Sequence, residues 1–359
     1  MVNLTQQSLA ALRQHIDAID THILNLISER AQLAGQIGQL KEGVLYRPER
    51  EAQVLRRLKE LNPGPLSDDA ILFIFRELMS ACLAHERPVR VAYLGPQGTY
   101  SEAALLKHFG HAALREENLS LDDVFQSVVT QRTDFAIVPI ENSIEGAVGR
   151  TLDLLVEMPV HVCGEVALRI HHQLMAPRGV PLTDIQEVYS HPQSQAQCRA
   201  WLAAHLPKVS LIPVASNAEA AKMVREKTHA AAIAGDIAAT LYDLDILAHN
   251  IEDSGNNTTR FFVMGNHQST PSGHDKTSLL LVAKNRPGAI HELLTPLAQH
   301  GVSMTRLESR PAQTKLWEYV FFIDLMGHCE DPLVKLALEE IKEKALVCRV
   351  LGSYPVAPI

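Results

Sequence analysis

LAALRQHIDAIDTHILNLISERAQLAGQIGQL, Leu9 to Leu40, carries apolar side chains at 9, 12, 16, 19, 23, 26, 33, 37 and 40. The steps of three and four keep one stripe facing one way, the mark of a single long helix with a continuous packing seam. Position 30 belongs to the same series but is Arg30. A charge in an apolar seam is costly unless an anion meets it. That anion is either a ligand or a carboxylate on another helix, in a structural salt bridge or register device. Two further helices follow. Pro48 is a good first helical residue, and Val54, Leu55, Leu58 and Leu61 form a stripe beside Arg50 and Glu51. Ser67 is a suitable N-cap, with Asp68 and Asp69 in the first turn and a stripe through Ile71, Phe75, Leu78 and Cys82 that ends on Glu86. Arg30, Glu51 and Glu86 all stand where a bundle expects apolar side chains.

Beyond Arg87-Pro88 the pattern changes to alternating strands and helices, an α/β arrangement. Long strands, above all the run Val162–Met175, join two such sets and predict two lobes around a cleft. Polar motifs stand at strand ends, where α/β folds bind ligands: Gly95 to Ser101, Ile140 to Gly146, Ser190 to Gln197, and Asn256 to Phe261. From Lys276 the order is strand, helix, strand, strand, helix, strand. This βαββαβ order predicts an antiparallel sheet with helices on one face.

At 359 residues the chain is long enough for two or three domains. Its net charge of −8 and lack of a basic block argue against nucleic acid, and leave any anionic ligand to a few placed Arg, Lys and N–H groups. No leader peptide and no apolar run near the roughly 20 residues of a bilayer span is read, so no membrane is expected. Cys82, Cys163, Cys198, Cys329 and Cys348 are scattered singly, which suits reduced thiols in the cytoplasm. His291-Glu292 opens an HExxH pattern that Thr295 breaks, and no metal is expected. The pair His171-His172, inside an apparent strand, is assigned no role.

The three segments resemble known families. LAALRQHIDAID, ISERAQLAGQIGQLK and YRPEREAQVL are similar to the all-helical chorismate mutases, which use three helices per chain in an intertwined dimer. Carried over position by position, the resemblance implies that Arg13, Arg30, Lys41, Arg50, Glu51 and Glu86 form the site for chorismate. Arg13 and Lys41 lie roughly 42 Å apart along one helix, so no small ligand touches both. Arg13 must then serve a site completed by a second copy of the chain: a homodimer, with pairing into tetramers left open. A pericyclic rearrangement needs no nucleophile, only donors that hold a compact conformer and stabilise the charge growing on the ether oxygen. Glu86 stands where that family often has Gln, and it must be protonated to donate.

Residues 89–267 resemble prephenate dehydratase, most sharply at Thr259-Arg260-Phe261, and the lobes resemble type-2 periplasmic binding proteins. The resemblance implies Thr259 as catalytic residue, with Asn142, Ser190, Gln197 and Arg260 binding substrate and Glu141 and Ser194 nearby. The plainer reading of Thr259, a cap of the turn before a strand, is outweighed by the agreement of the surrounding motifs. The tail resembles an ACT regulatory domain. Gly288, Ala289, Ile290 and His291, with Glu308, Ser309, Arg310 and Pro311, match its phenylalanine-binding elements, so L-phenylalanine is the expected effector. Together these imply domains at 1–88, 89–268 and 275–359, and an enzyme without cofactor that turns chorismate into prephenate and prephenate into phenylpyruvate. Two rivals remain: an arogenate dehydratase, and a non-catalytic metabolite sensor.

Overall fold

The computed structural model describes residues 2–40, 46–284, 286–311 and 319–357, with the side chains of 2–8 left out. The chain divides into two units, one of Met1–Arg47, Leu55–Val89 and Phe109–Ala113, the other holding the remainder.

In the first unit the long helix is α1 (Val2–Leu40), which packs on α3 (Asp68–Glu86). The Ser67 hydroxyl accepts from the Ala70 N–H at 3.2 Å and caps α3 at the residue expected. Helix α2 (Pro48–Leu61) starts on Pro48; its residues Pro48–Val54 belong to the second unit. Most of the α1 stripe finds no cover within the chain. From Leu9 to Leu26 its Leu and Ile residues are 46–60% exposed.

The second unit contains three sheets. The first lobe is built from β1 (Arg90–Leu94), α4 (Tyr100–Phe109), β2 (Leu114–Asn118), α5 (Leu121–Val129), β3 (Phe135–Asn142), β4 (Gly146–Ala147), α6 (Gly149–Glu157), β5 (His161–Arg169) and β11 (Thr258–Gly265). Its strand order is β2-β1-β3-β11-β5, and β4 pairs with β3. The second lobe holds β6 (Gln173–Pro177), β7 (Glu187–Ser190), α7 (Pro192–Gln197), α8 (Arg199–His205), β8 (Ser210–Pro213), α9 (Asn217–Val224), β9 (Ala230–Ala234), α10 (Asp236–Tyr242) and β10 (Leu244–Ala248), in the order β10-β6-β9-β7-β8. The run read as one strand over Val162–Met175 is two. It breaks at Ile170–His172, where the chain leaves one sheet for the other. The return crossing, before β11, passes through Asn257.

The third sheet has β12 (Asp275–Val282), α11 (Ala289–Gln299), β13 (Met304–Pro311), β14 (Tyr319–Met326), α12 (Pro332–Lys344) and β15 (Val347–Pro355), in the order β13-β14-β12-β15. Alternation along its strands feeds two cores. Leu279, Leu281, Ile323 and Leu325 pack with Leu293, Leu297, Leu338 and Ile341 of α11 and α12. The opposite face, with Leu280, Val320, Phe322, Leu351 and Tyr354, joins one core with Ala136, Val138, Leu152 and Phe262 of the first lobe. Continuous apolar runs such as Leu279–Val282 are what a strand buried on both faces requires. Among the described residues, no helix is long and apolar enough to cross a membrane.

Candidate active site

A cavity of about 1000 Å³ opens between the two lobes, lined among others by Thr99, Tyr100, Asn142, His172, Ser194, Gln197, Lys222, Asn257 and Thr259. Thr259 and Asn142 are cross-strand partners on β11 and β3. Asn142 Oδ1 accepts the N–H groups of Ile144 (3.0 Å) and Glu145 (3.2 Å), which fixes which way its amide points. Its NH₂ then donates to Asn257 Oδ1 at 2.7 Å and to Thr259 Oγ1 at 2.9 Å. Thr259 is therefore held as an acceptor. Its own proton has no acceptor among the described residues, which leaves it for a molecule in the cavity.

The arrangement continues through both crossings. Asn257 Nδ2 donates to Gln197 Oε1 at 3.0 Å, and the same oxygen lies 2.8 Å from His172 Nε2. Gln197 Oε1 can only accept, so His172 carries its proton on Nε2. Nδ1 lies 2.8 Å from the Tyr100 hydroxyl, which also donates to the His171 carbonyl oxygen at 2.7 Å. Burial holds the His172 ring below its ordinary value, in the neutral form. Burial likewise pushes the Tyr100 phenol well above its usual value, so it stays a donor. Tyr100 and Asn257 stand in the polar motifs Gly95 to Ser101 and Asn256 to Phe261, whereas nothing in an isolated His-His pair marks His172, 1% exposed, as a crossing between lobes.

Of the other dehydratase residues, Ser194 Oγ accepts from Asn217 Nδ2 at 2.7 Å, and Ser190 is fully buried with a hydroxyl that finds no partner among the described residues. Among the described residues, Lys222 is the only Lys or Arg lining the cavity. Arg260 and Glu141 are not among the described residues that line the cleft; Arg260 follows Thr259 on β11 and turns to the other side of the sheet. Arg260 instead bonds Glu165 (2.7 Å), Glu141 (3.1 Å), Asp324 (2.5 Å) and the Tyr354 hydroxyl (3.0 Å).

In the helical unit, Arg30 lies half-buried with Nη1 3.1 Å from Cys82 Sγ, and Arg30 and Glu86 form no ion pair among the described residues. Glu86 rests against Gly38: a Cβ there would fall 2.2 Å from its Oε2. Arg13 and Arg50 are exposed, Glu51 is half-buried, and Lys41 lies outside the described residues. In the third sheet's domain, Gly288 takes φ +80°, a conformation suited to glycine, and caps α11. Ala289 is buried, Ile290 half-buried and His291 exposed. Along β13, Glu308 and Arg310 are half-buried while Ser309 and Pro311 are exposed; Arg310 bonds Asp153 of α6 at 2.9 and 3.0 Å.

Comparison with known proteins yields three family matches: chorismate mutase type II over residues 12–87, prephenate dehydratase over 91–269 and ACT domain over 277–343. A bifunctional chorismate mutase/prephenate dehydratase of Stutzerimonas stutzeri is 51% identical, across 97% of this chain and 98% of its own. Among solved structures, prephenate dehydratase from Arthrobacter aurescens, in complex with L-Phe, matches with TM-score 0.69 and 36% identity over 75% of this chain and 90% of that one. GqqA, a quorum-quenching acylase, gives the same TM-score at 32% identity, over 75% and 98%. With near-complete coverage of a relative at half identity and all three domain families in order, the chain belongs to the bifunctional chorismate mutase/prephenate dehydratase family.

Proposed function

We propose that the helical segment rearranges chorismate to prephenate and the two-lobed segment converts prephenate to phenylpyruvate, in the synthesis of L-phenylalanine, which feeds back on the second step. The bifunctional relatives and the L-Phe complex of a related dehydratase support this reading. The family matches support domains at 1–88, 89–268 and 275–359. Scattered free thiols suit the cytoplasm.

The observation that carries the dehydratase assignment is the locked Asn142 amide against Thr259. In the reaction the bond from the ring to its carboxylate breaks, carbon dioxide leaves, and the released electron pair aromatises the ring. The C–O bond on the opposite ring carbon breaks with it. Thr259, its oxygen already accepting from Asn142, turns its proton to the departing hydroxyl. Lys222 and the N–H groups at the start of α4 meet the carboxylates, Ser194 and Gln197 shape the pocket with the buried Ser190 behind them, and His172 holds Gln197.

For the mutase, Arg30, Lys41, Arg50, Glu51 and Glu86 of one chain and Arg13 of a second copy surround chorismate. The exposed α1 seam supports the homodimer this requires. At the third sheet, Gly288–His291 and Glu308–Pro311 bind phenylalanine. Chorismate added to the purified chain should yield phenylpyruvate, seen by its absorbance, more slowly with phenylalanine present. Accumulation of prephenate alone would remove the dehydratase, and no loss of chorismate would remove the mutase.

A further inference from the structure

Six charges of opposite sign meet where the third sheet docks on the first lobe: Arg260, Arg306 and Lys276 against Glu141, Glu165 and Asp324. The Glu165 and Asp324 side chains are 2% exposed. Besides the bonds of Arg260, Arg306 Nε pairs with Glu141 Oε2 at 2.7 Å and Lys276 Nζ with Glu165 at 2.9 Å. Asp324 also accepts from Ser278, whose hydroxyl lies 2.5 Å from that of Tyr354. Burial opposes a charge on Arg260, but Tyr354, Asp324 and Glu165 more than offset it and hold the proton more firmly than in free Arg.

The register gives this cluster its meaning. On β11 and β3 the pair Arg260–Glu141 directly follows the pair Thr259–Asn142, and the strands shift register just after it. Neighbouring residues of a strand face opposite sides yet share one peptide bond, so moving one pair turns the other. The cluster's far end lies on β13 and β14. β13 carries Arg306, Glu308 and Arg310 with the same half-buried pattern, and Arg310 ties it to Asp153. The phenylalanine-binding segment is thus on the strand that grips the first lobe.

We propose that Arg260 and Glu141 are positioning residues that never meet prephenate: through Asp324 and Arg306 they clamp the Thr259–Asn142 pair to the ACT domain, and loosening that clamp slows dehydration. Two states of one packed element, biased from both ends, are what coupling between sites requires. The coupling half of the inference rests on the proposed feedback by phenylalanine; the positioning half does not.

The test uses the full chain and the variants Arg260→Lys, Asp324→Asn and Arg306→Gln, with prephenate turnover measured as kcat and KM, with and without L-phenylalanine. Turnover of chorismate in the same samples reports an intact chain. Arg260→Lys keeps the charge but loses the planar fork. Asp324→Asn leaves the first lobe's sequence untouched, so it remains informative if Arg260 variants fold poorly. Expected is a fall in kcat of about tenfold or more with KM within about twofold, for Asp324→Asn as for Arg260→Lys, and a double variant no worse than the poorer single one. The response to phenylalanine weakens in each. A raised KM in Arg260→Lys with Asp324→Asn at full activity would make Arg260 a substrate ligand and overturn the proposal. If the unaltered chain ignores phenylalanine while the kcat losses stand, the feedback reading falls and the positioning role survives. If it responds and the variants match it in kcat and response, the proposal falls alone.

Discussion

Removing one hydroxyl isolates what the Thr259 oxygen does. Thr259→Ala takes away the hydroxyl proton that the Asn142 amide leaves free for the cavity. A positioned donor contributes roughly 10²–10⁴ in rate. Dehydration should fall by at least about 10²-fold while chorismate is still consumed, and Thr259→Ser should recover much of the loss; equal damage from both would assign the role to the methyl group. His172 gives a pH dependence. Its ring is held below the ordinary value in the folded chain, while an unfolded chain protonates it near pH 6.5. The neutral ring's contribution is therefore present above about pH 6.5 and lost as pH falls below it. Melting temperature should drop between pH 7.5 and 5.5, by less in His172→Gln, and thermal scans at the two pH values would show it. Thr259 and Asn142 were legible because each stands in a polar motif at a strand end. Arg260 stands in the same motif as Thr259, yet it is not among the described residues lining the cavity. What could not be read is which side of that sheet a third domain would cover.

At the scale of elements, α1 was legible from spacing alone, since nine Leu and Ile at steps of three and four allow little else. The same stripe supports a prediction about assembly. Each Leu or Ile moved from water into a helix interface stabilises it by about 1.5–3 kcal/mol. Ile16, 56% exposed and in mid-stripe, is a sensitive probe. Ile16→Lys should shift the chain toward monomer in sedimentation and lower chorismate turnover, because Arg13 then has no partner site to reach. A lysine variant that sediments as a dimer with full mutase activity excludes this seam as the interface. Gly38 probes the mutase face of the same helix. An added methyl group would fall 2.2 Å from the Glu86 carboxylate, a flexible group that can swing aside. Gly38→Ala should thus cost little stability yet displace Glu86, reducing mutase turnover and leaving dehydration from added prephenate unchanged. The long strand read over Val162–Met175 was wrong in one place for a physical reason: an apolar run shows burial, not which of two sheets buries it.

The whole molecule adds what no local pattern carries. Sequence reading cuts the tail at Lys276 into a domain of its own, yet its sheet shares a core with the first lobe through Leu280, Val320, Phe322, Leu351 and Tyr354. Only long-range contact reveals that, since β12 and β14 are apolar on both faces whichever neighbour covers them. Gly352 marks a close approach. A Cβ built there would lie 1.8 Å from the carbonyl oxygen of Val162 and 2.8 Å from its carbon, both backbone atoms of β5. Unlike the Glu86 side chain, that backbone cannot swing away, because β5 is fixed along its length to β11. Gly352→Ala must push β15 off β5 and strain the shared core. Overpacking of this kind typically costs about 1–3 kcal/mol, or several degrees of melting temperature for a unit of this size. Since lobe and sensor share that core, calorimetry should show both moving in one lowered transition, with weakened dehydratase activity and chorismate turnover retained below it. An unshifted transition would mean that the two sheets do not meet at Gly352, and the path from β13 to Thr259 would lose the docking surface on which it depends.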